Sequence, residues 1–79
     1  MDKETRQFVQ KETSKLNVSE IIEQMIQVSE KIEECENAIC DMMFNKKPID
    51  KALYYLGMIE ELNELYTMLE QAYMKEFEA

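Results

Sequence analysis

The sequence predicts an all-α fold: an antiparallel hairpin of two long helices, completed to a helical bundle by oligomerisation or by a partner protein. In two stretches of the chain, apolar residues recur at alternating intervals of three and four, the period of a helix that packs lengthwise against another helix. A short turn signal around Pro48 separates the two stretches. Because the predicted helices have similar lengths, they can lie side by side along their whole extent.

Residues 1–15 are predicted to form a mobile N-terminal arm or a short helix. Beyond Met1, their only sizeable apolar side chains are Phe8 and Val9. Two such side chains are too few to bury one face of a helix. We therefore expect the hairpin itself to begin at residue 16 and to cover residues 16–79.

The first long helix is predicted over about residues 18–44. Asn17 suits the N-cap, and Glu20 at the third helical position can return a hydrogen bond to the cap amide. Leu16 and Ile21 are spaced as a hydrophobic staple. The apolar seam of this helix comprises Val18, Ile21, Met25, Val28, Ile32, Cys35, Ile39 and Met42.

The predicted turn covers residues 45–47, and the second helix covers about residues 48–77. Pro48 fits the first turn of that helix, where its missing N–H costs nothing. Gly57 lies in the middle of the helix and predicts a close helix crossing. One apolar row comprises Tyr55, Met58, Leu62, Leu65, Leu69 and Ala72, and a neighbouring row comprises Ala52, Leu56, Ile59, Tyr66, Tyr73 and Phe77.

The charge distribution argues against direct binding to nucleic acid. The 79 residues carry a net charge of −8, and residues 17–47 and 48–79 are both acidic. Binding to phosphates requires clustered lysine or arginine. The acidic positions are expected to form a solvated helical face, with mimicry of nucleic-acid phosphates as the sharper alternative.

Composition also predicts a cytoplasmic protein that is not an enzyme. The chain has no histidine and no glycine-rich phosphate loop, so we expect no catalytic residues, no metal site and no cofactor. Cys35 and Cys40 lie five residues apart and point to divergent sides of a helix, which leaves two free thiols and suggests a reducing compartment. We predict no membrane span, because no stretch approaches about 18 consecutive apolar residues.

The apolar rows exceed what one hairpin can bury, and this surplus predicts a protein-binding surface. Seven methionines and four tyrosines suit such a surface, although they also suit an ordinary core. The function we predict is that of a small chaperone, adaptor or inhibitor, which binds another protein or itself as a homodimer. The predicted partner-binding residues are Ile22, Met25, Met43, Ile59, Leu62, Tyr66, Leu69 and Tyr73.

The layout of residues 18–77 resembles the small helical-hairpin co-chaperones of type III secretion. It has a long helix ending in Asp41-Met42-Met43, a short turn, and an apolar helix rich in leucine, isoleucine and tyrosine. The resemblance implies a partner chaperone and a shared secretion subunit as the bound proteins.

Two alternatives remain open. One is an acidic decoy of the phage type, which inhibits a nucleic-acid-binding protein through its carboxylates. The other is a hairpin phosphatase acting on the aspartyl phosphate of a response regulator. The sporulation phosphatases carry a Ser-Gln-Glu-Leu-Asp motif, and Glu61-Leu62-Asn63 matches it only in part, without the preceding Ser-Gln and without the acid after the leucine.

Overall fold

A computed structural model describes residues 1–46 and 49–77 of the chain. Over these residues it contains three helices: α1 (Lys3–Thr13), α2 (Val18–Phe44) and α3 (Ile49–Lys75). The all-α prediction is confirmed, and α2 and α3 form the expected hairpin. The described residues form three helices instead of the two of the predicted hairpin, because residues 1–15 contain α1, and a short helix was one of the two forms predicted for them. The predicted roles of position 47 and of Pro48 lie outside the described residues.

Helix α2 begins as the sequence predicts. The Glu20 amide donates to Asn17 Oδ1 at 2.8 Å, and the Asn17 amide donates to Glu20 Oε1 at 3.0 Å, which completes the capping box. The helix ends at Asn45, whose amide donates to the Asp41 carbonyl at 3.0 Å. Lys46 then adopts a φ of 51°, the left-handed conformation that commonly follows a helix C-terminus.

The core lies between α2 and α3. Ile21, Val28 and Leu69 form its buried cluster, and Leu16 packs against that cluster as a staple residue should. Cys35 is also buried, whereas Cys40 is exposed, and both are free thiols. Every described seam position of α2 is buried or half-buried, so the alternation of three and four correctly located the α2–α3 interface.

Helix α1 packs against α3 on one side of the hairpin. Asp2 caps it by accepting a hydrogen bond from the Thr5 amide at 2.7 Å. Thr13 at its end is buried, and its hydroxyl donates to the Gln10 carbonyl at 3.1 Å. Phe8 points outward and is exposed, whereas the Met1 side chain is only 6% exposed and Val9 is half-buried, so the apolar contribution to the docking of α1 comes from a few separate side chains.

Gly57 does not mark a close helix crossing. A Cβ added at this position would meet nothing within 4 Å, and its φ is not positive. The glycine is simply an exposed residue of α3. None of the three helices, over the residues that the structure describes, is long and apolar enough to cross a membrane.

Candidate functional site

An open groove runs between α2 and α3 on the side of the hairpin away from α1. Its volume is about 370 Å³, and it is mostly apolar. The residues that line it are Ile22, Met25, Ile26, Ser29, Glu30, Glu33, Tyr66 and Tyr73. We call this surface the apolar groove.

The periodicity of α3 explains why the apolar groove and α1 occupy different sides. Tyr66 and Tyr73 line the groove, whereas Glu64 and Gln71 line the cleft beside α1. Glu64 lies two residues before Tyr66, and Gln71 lies two residues before Tyr73. Two residues correspond to a rotation of about 200° around the helix axis, so the two pairs project from opposite sides of α3. Helix α1 therefore covers one side of α3 and leaves the other side open.

The floor of the apolar groove is formed by side chains that continue the core outward. Met25, Tyr66 and Tyr73 pack against the buried cluster with part of their surface and face the groove with the rest. Ile22 is 42% exposed and Ile26 is 54% exposed. These two isoleucines lie one turn apart beyond the seam, so α3 cannot reach them.

The predicted partner-binding residues fall into three groups. Ile22, Met25, Tyr66 and Tyr73 meet in the apolar groove. The second group is in or beside the core: Leu69 is only 2% exposed, and Leu62 packs against the buried cluster. The third group lies apart from the groove, with Ile59 half-buried farther along α3 and Met43 exposed near the end of α2.

Leu69 cannot serve as an anchor for a partner while the hairpin is closed. Its side chain fills the space between α2 and α3, where burial of a leucine is worth about 1.5–3 kcal/mol. The sequence placed Leu69 in the same apolar row as Leu62 and Leu65. Periodicity alone does not show which part of the wide apolar face of α3 is covered by α2.

Sequence reasoning did not include Ile26, Glu30 and Glu33 among the site residues. Ile26 was recognisable, because Ile22 and Ile26 form an apolar pair spaced by four residues outside the seam. The two glutamates carried no signal, because acidic residues occur along most of the outer face of α2.

A second exposed apolar area lies at the turn end of the hairpin. Met43, Phe44, Ile49, Leu53, Tyr54 and Leu56 are all exposed there. Tyr54 and Tyr55 stack edge to face, with ring centroids 5.6 Å apart. Leu53 and Tyr54 line a second, more open apolar groove with Gly57, Met58 and Leu62, whereas Met43, Phe44, Ile49 and Leu56 lie outside it.

Electrostatics differ between the two sides of the hairpin. On the α1 side, the Met1 amino group lies 2.8 Å from Glu61 Oε1 and 3.2 Å from Glu64 Oε2, and Arg6 lies 3.2 Å from Glu64 Oε1. Hydrogen bonds from this amino group to Glu61 and Glu64 raise its pKa above the ordinary value of 8.0. These contacts hold α1 in place. They also occupy Glu61, the acid of the Glu61-Leu62-Asn63 stretch that partly matches the phosphatase motif.

The apolar groove has a mixed lining, which consists of an apolar floor, two tyrosine rings and two carboxylates. Within residues 1–46 and 49–77, no group of three or more histidine, cysteine or acidic side chains is arranged to hold a metal ion. Comparisons of the chain with protein-family models, with curated proteins and with solved structures find no match.

Proposed function

We propose that this chain is a protein-binding module that receives a helix of another polypeptide in its apolar groove. The observation that carries the proposal is the pair Ile22 and Ile26, exposed beside Tyr66 and Tyr73 on the side that α1 leaves open. A helix laid there would contact the side chains of both α2 and α3. This is the helix-in-groove mode of recognition, in which an apolar helix face supplies the affinity.

The size of the molecular surface supports the proposal. The chain exposes 6224 Å², whereas a compact monomer of this mass exposes about 5000 Å². The excess of about 1200 Å² is more than the roughly 800 Å² that each partner buries in a stable protein complex. The radius of gyration, 15.0 Å, likewise exceeds the roughly 12 Å expected of a compact chain of this length. The hairpin is a flat layer, and a partner would supply the next layer.

An amphipathic helical peptide without charged residues tests the proposal. The ¹⁵N-labelled chain is titrated with a peptide that carries a leucine stripe on an otherwise glutamine and serine helix. We expect the shifted amide resonances to cluster at residues 22–33 of α2 and 66–73 of α3. Shifts confined to the turn end of the hairpin, around Leu53, would contradict the proposal.

Two matched variants make the test specific. Ile26→Glu places a charge in the apolar groove and should abolish the shifts. Leu53→Glu makes the same kind of change at a site that is 57% exposed but outside the groove, and it should leave the shifts in place. Because both side chains are exposed, neither variant should unfold the hairpin, which circular dichroism would verify.

A further inference from the structure

We infer that the helix received by the apolar groove is basic: an amphipathic segment whose apolar stripe is flanked by lysine or arginine. The inference rests on the proposed function and names the chemical class of its partner. It follows from the dimensions of the groove and from the charges along its lining.

The length of the groove fits a short helix. Its α2 wall extends from Ile22 to Glu33, which at 1.5 Å per residue spans about 16 Å. A helix of about three turns covers that distance. Such a helix would lay apolar side chains over Ile22 and Ile26 and between the rings of Tyr66 and Tyr73.

The charged residues of the groove are all of one sign. Glu30 and Glu33 line it, and the lining contains no lysine or arginine. In the part of the chain that the structure describes, neither glutamate forms an ion pair, whereas Glu61 and Glu64 on the other side are paired with the Met1 amino group and with Arg6. Glu61 and Glu64 thus have cations within the chain, whereas Glu30 and Glu33 in the apolar groove leave that role to an incoming segment.

The carboxylates also occupy one end of the groove. Along α2, the exposed isoleucines come first, and Glu30 and Glu33 follow one to two turns later. A partner segment should therefore carry its basic residues toward one end of its apolar stripe. Complementary charge of this kind raises the association rate and selects the partner more than it adds affinity.

A second copy of this chain fits the groove less well. Two copies that met through their apolar grooves would place four glutamates in one interface, without a lysine or arginine in either lining. The chain's own basic helix, α1, has only Phe8 as a large exposed apolar side chain, which cannot fill a floor made by two isoleucines and two tyrosines. Charge and apolar content both favour a different polypeptide.

The test compares three tryptophan-labelled peptides with the full chain, which has no tryptophan of its own. Two peptides share one leucine stripe and differ only in their flanks, which are lysine in one and glutamate in the other. The third has the composition of the lysine peptide in a scrambled order. Binding is followed by the blue shift of tryptophan emission, at low and at high sodium chloride concentration.

We expect the lysine peptide to bind about tenfold more tightly than the glutamate peptide at low salt, and the difference to shrink as salt screens the charges. Glu30→Gln combined with Glu33→Gln should remove the preference and keep the binding. Glu4→Gln combined with Glu60→Gln removes the same charge at exposed sites outside the groove and should leave the preference nearly intact.

The possible failures separate the two proposals. Equal binding of the lysine and glutamate peptides overturns the basic-partner inference and leaves the proposed function standing. If the scrambled peptide binds as tightly as the ordered lysine peptide, both proposals are overturned, because charge alone would then drive association. The inference is also overturned if the chain forms a dimer that becomes stronger with salt and that Ile26→Glu abolishes. A second copy of the chain would then occupy the groove.

Discussion

Asn17 and Glu20 show at the residue scale how two side chains set the start of a helix. Their reciprocal hydrogen bonds satisfy two backbone amides that no helical carbonyl can reach. Directly after this capping box, Ile21 enters the core and Ile22 lines the groove. The α2 wall of the apolar groove therefore begins in the first turns of a helix whose start the cap stabilises.

Asn17→Ala should lower the free energy of unfolding by about 1 kcal/mol, because the Glu20 amide loses its acceptor. Urea unfolding followed by circular dichroism at 222 nm measures the change. Ser19→Ala, an exposed change in the same helical turn, is the control and should have little effect. An unchanged urea midpoint for Asn17→Ala would show that packing alone sets the start of α2.

The docking of α1 should depend on pH through the Met1 amino group. Its hydrogen bonds to Glu61 and Glu64 raise its pKa in the folded state, so the stabilisation is complete below pH 8.0 and is lost as pH rises through the raised pKa.

The Asp2 carboxyl group has the opposite pH dependence. Hydrogen bonds from Thr5 lower its pKa, so its contribution is present above the ordinary pKa of 3.8 and is lost as pH falls through the lowered one.

Methyl resonances of Val9, a half-buried residue of α1, report the titration of the Met1 amino group without exchange with solvent. We expect them to move toward their undocked positions as pH rises through the raised pKa of the amino group. The chain acetylated at Met1 lacks this titrating group, so its Val9 resonances should not show this pH-dependent movement. Identical behaviour of the acetylated and free chains would rule out the amino group as the cause.

At the scale of elements, the long hairpin was predictable, whereas the docking of α1 was not. The seams of α2 and α3 are readable because their apolar residues are numerous and periodic. Helix α1 depends instead on a cap at Asp2, on ion pairs to residues distant in sequence, and on the isolated buried side chains of Met1 and Thr13, none of which forms an apolar pattern. Met68 belongs to neither predicted apolar row of α3, yet it is buried, because it lies on the side of α3 that α1 covers.

The candidate site could be predicted only in part, for a related physical reason. The surplus of apolar residues was visible in the sequence, and four of the eight predicted residues line the apolar groove. Which side of α3 remains open depends on where α1 docks, and that depends on Glu61 and Glu64 acting as its anchors. The sequence offered no means of distinguishing these two glutamates from Glu30 and Glu33.

Gly57→Ala should stabilise α3 by about 0.5–1 kcal/mol, because alanine loses less backbone entropy and the added methyl group has open space around it. Thermal unfolding measures the gain as a higher midpoint. A lower midpoint would mean that another molecule, such as a second copy, lies close to Gly57 in solution.

At the scale of the whole molecule, a thin core and a large charge act in the same direction. Ile21, Val28, Cys35, Met68 and Leu69 are the buried apolar residues of the described chain. The net charge of −8 adds repulsion between the helices. The free energy of unfolding should therefore be low. It should increase when salt screens the carboxylates or when a partner covers the hairpin.

Sodium chloride should raise the thermal midpoint of the isolated chain, because screening weakens the repulsion among its carboxylates. Differential scanning calorimetry over a series of salt concentrations measures the effect. Glu23→Gln combined with Glu36→Gln, both exposed, should raise the midpoint at low salt and reduce its dependence on salt. A midpoint that falls with salt would show that local ion pairs such as Arg6–Glu64 outweigh the overall repulsion.

The contact between Met1 and Glu61 spans 60 residues of sequence and has a consequence for synthesis on the ribosome. Helix α1 emerges before α3, but the surface on which it docks belongs to α3. Until α3 follows, α1 has no place to bind and α2 has its apolar seam uncovered. These helices acquire a hydrophobic interior only after α3 has left the ribosome, so α2 remains exposed to cellular chaperones and proteases until then.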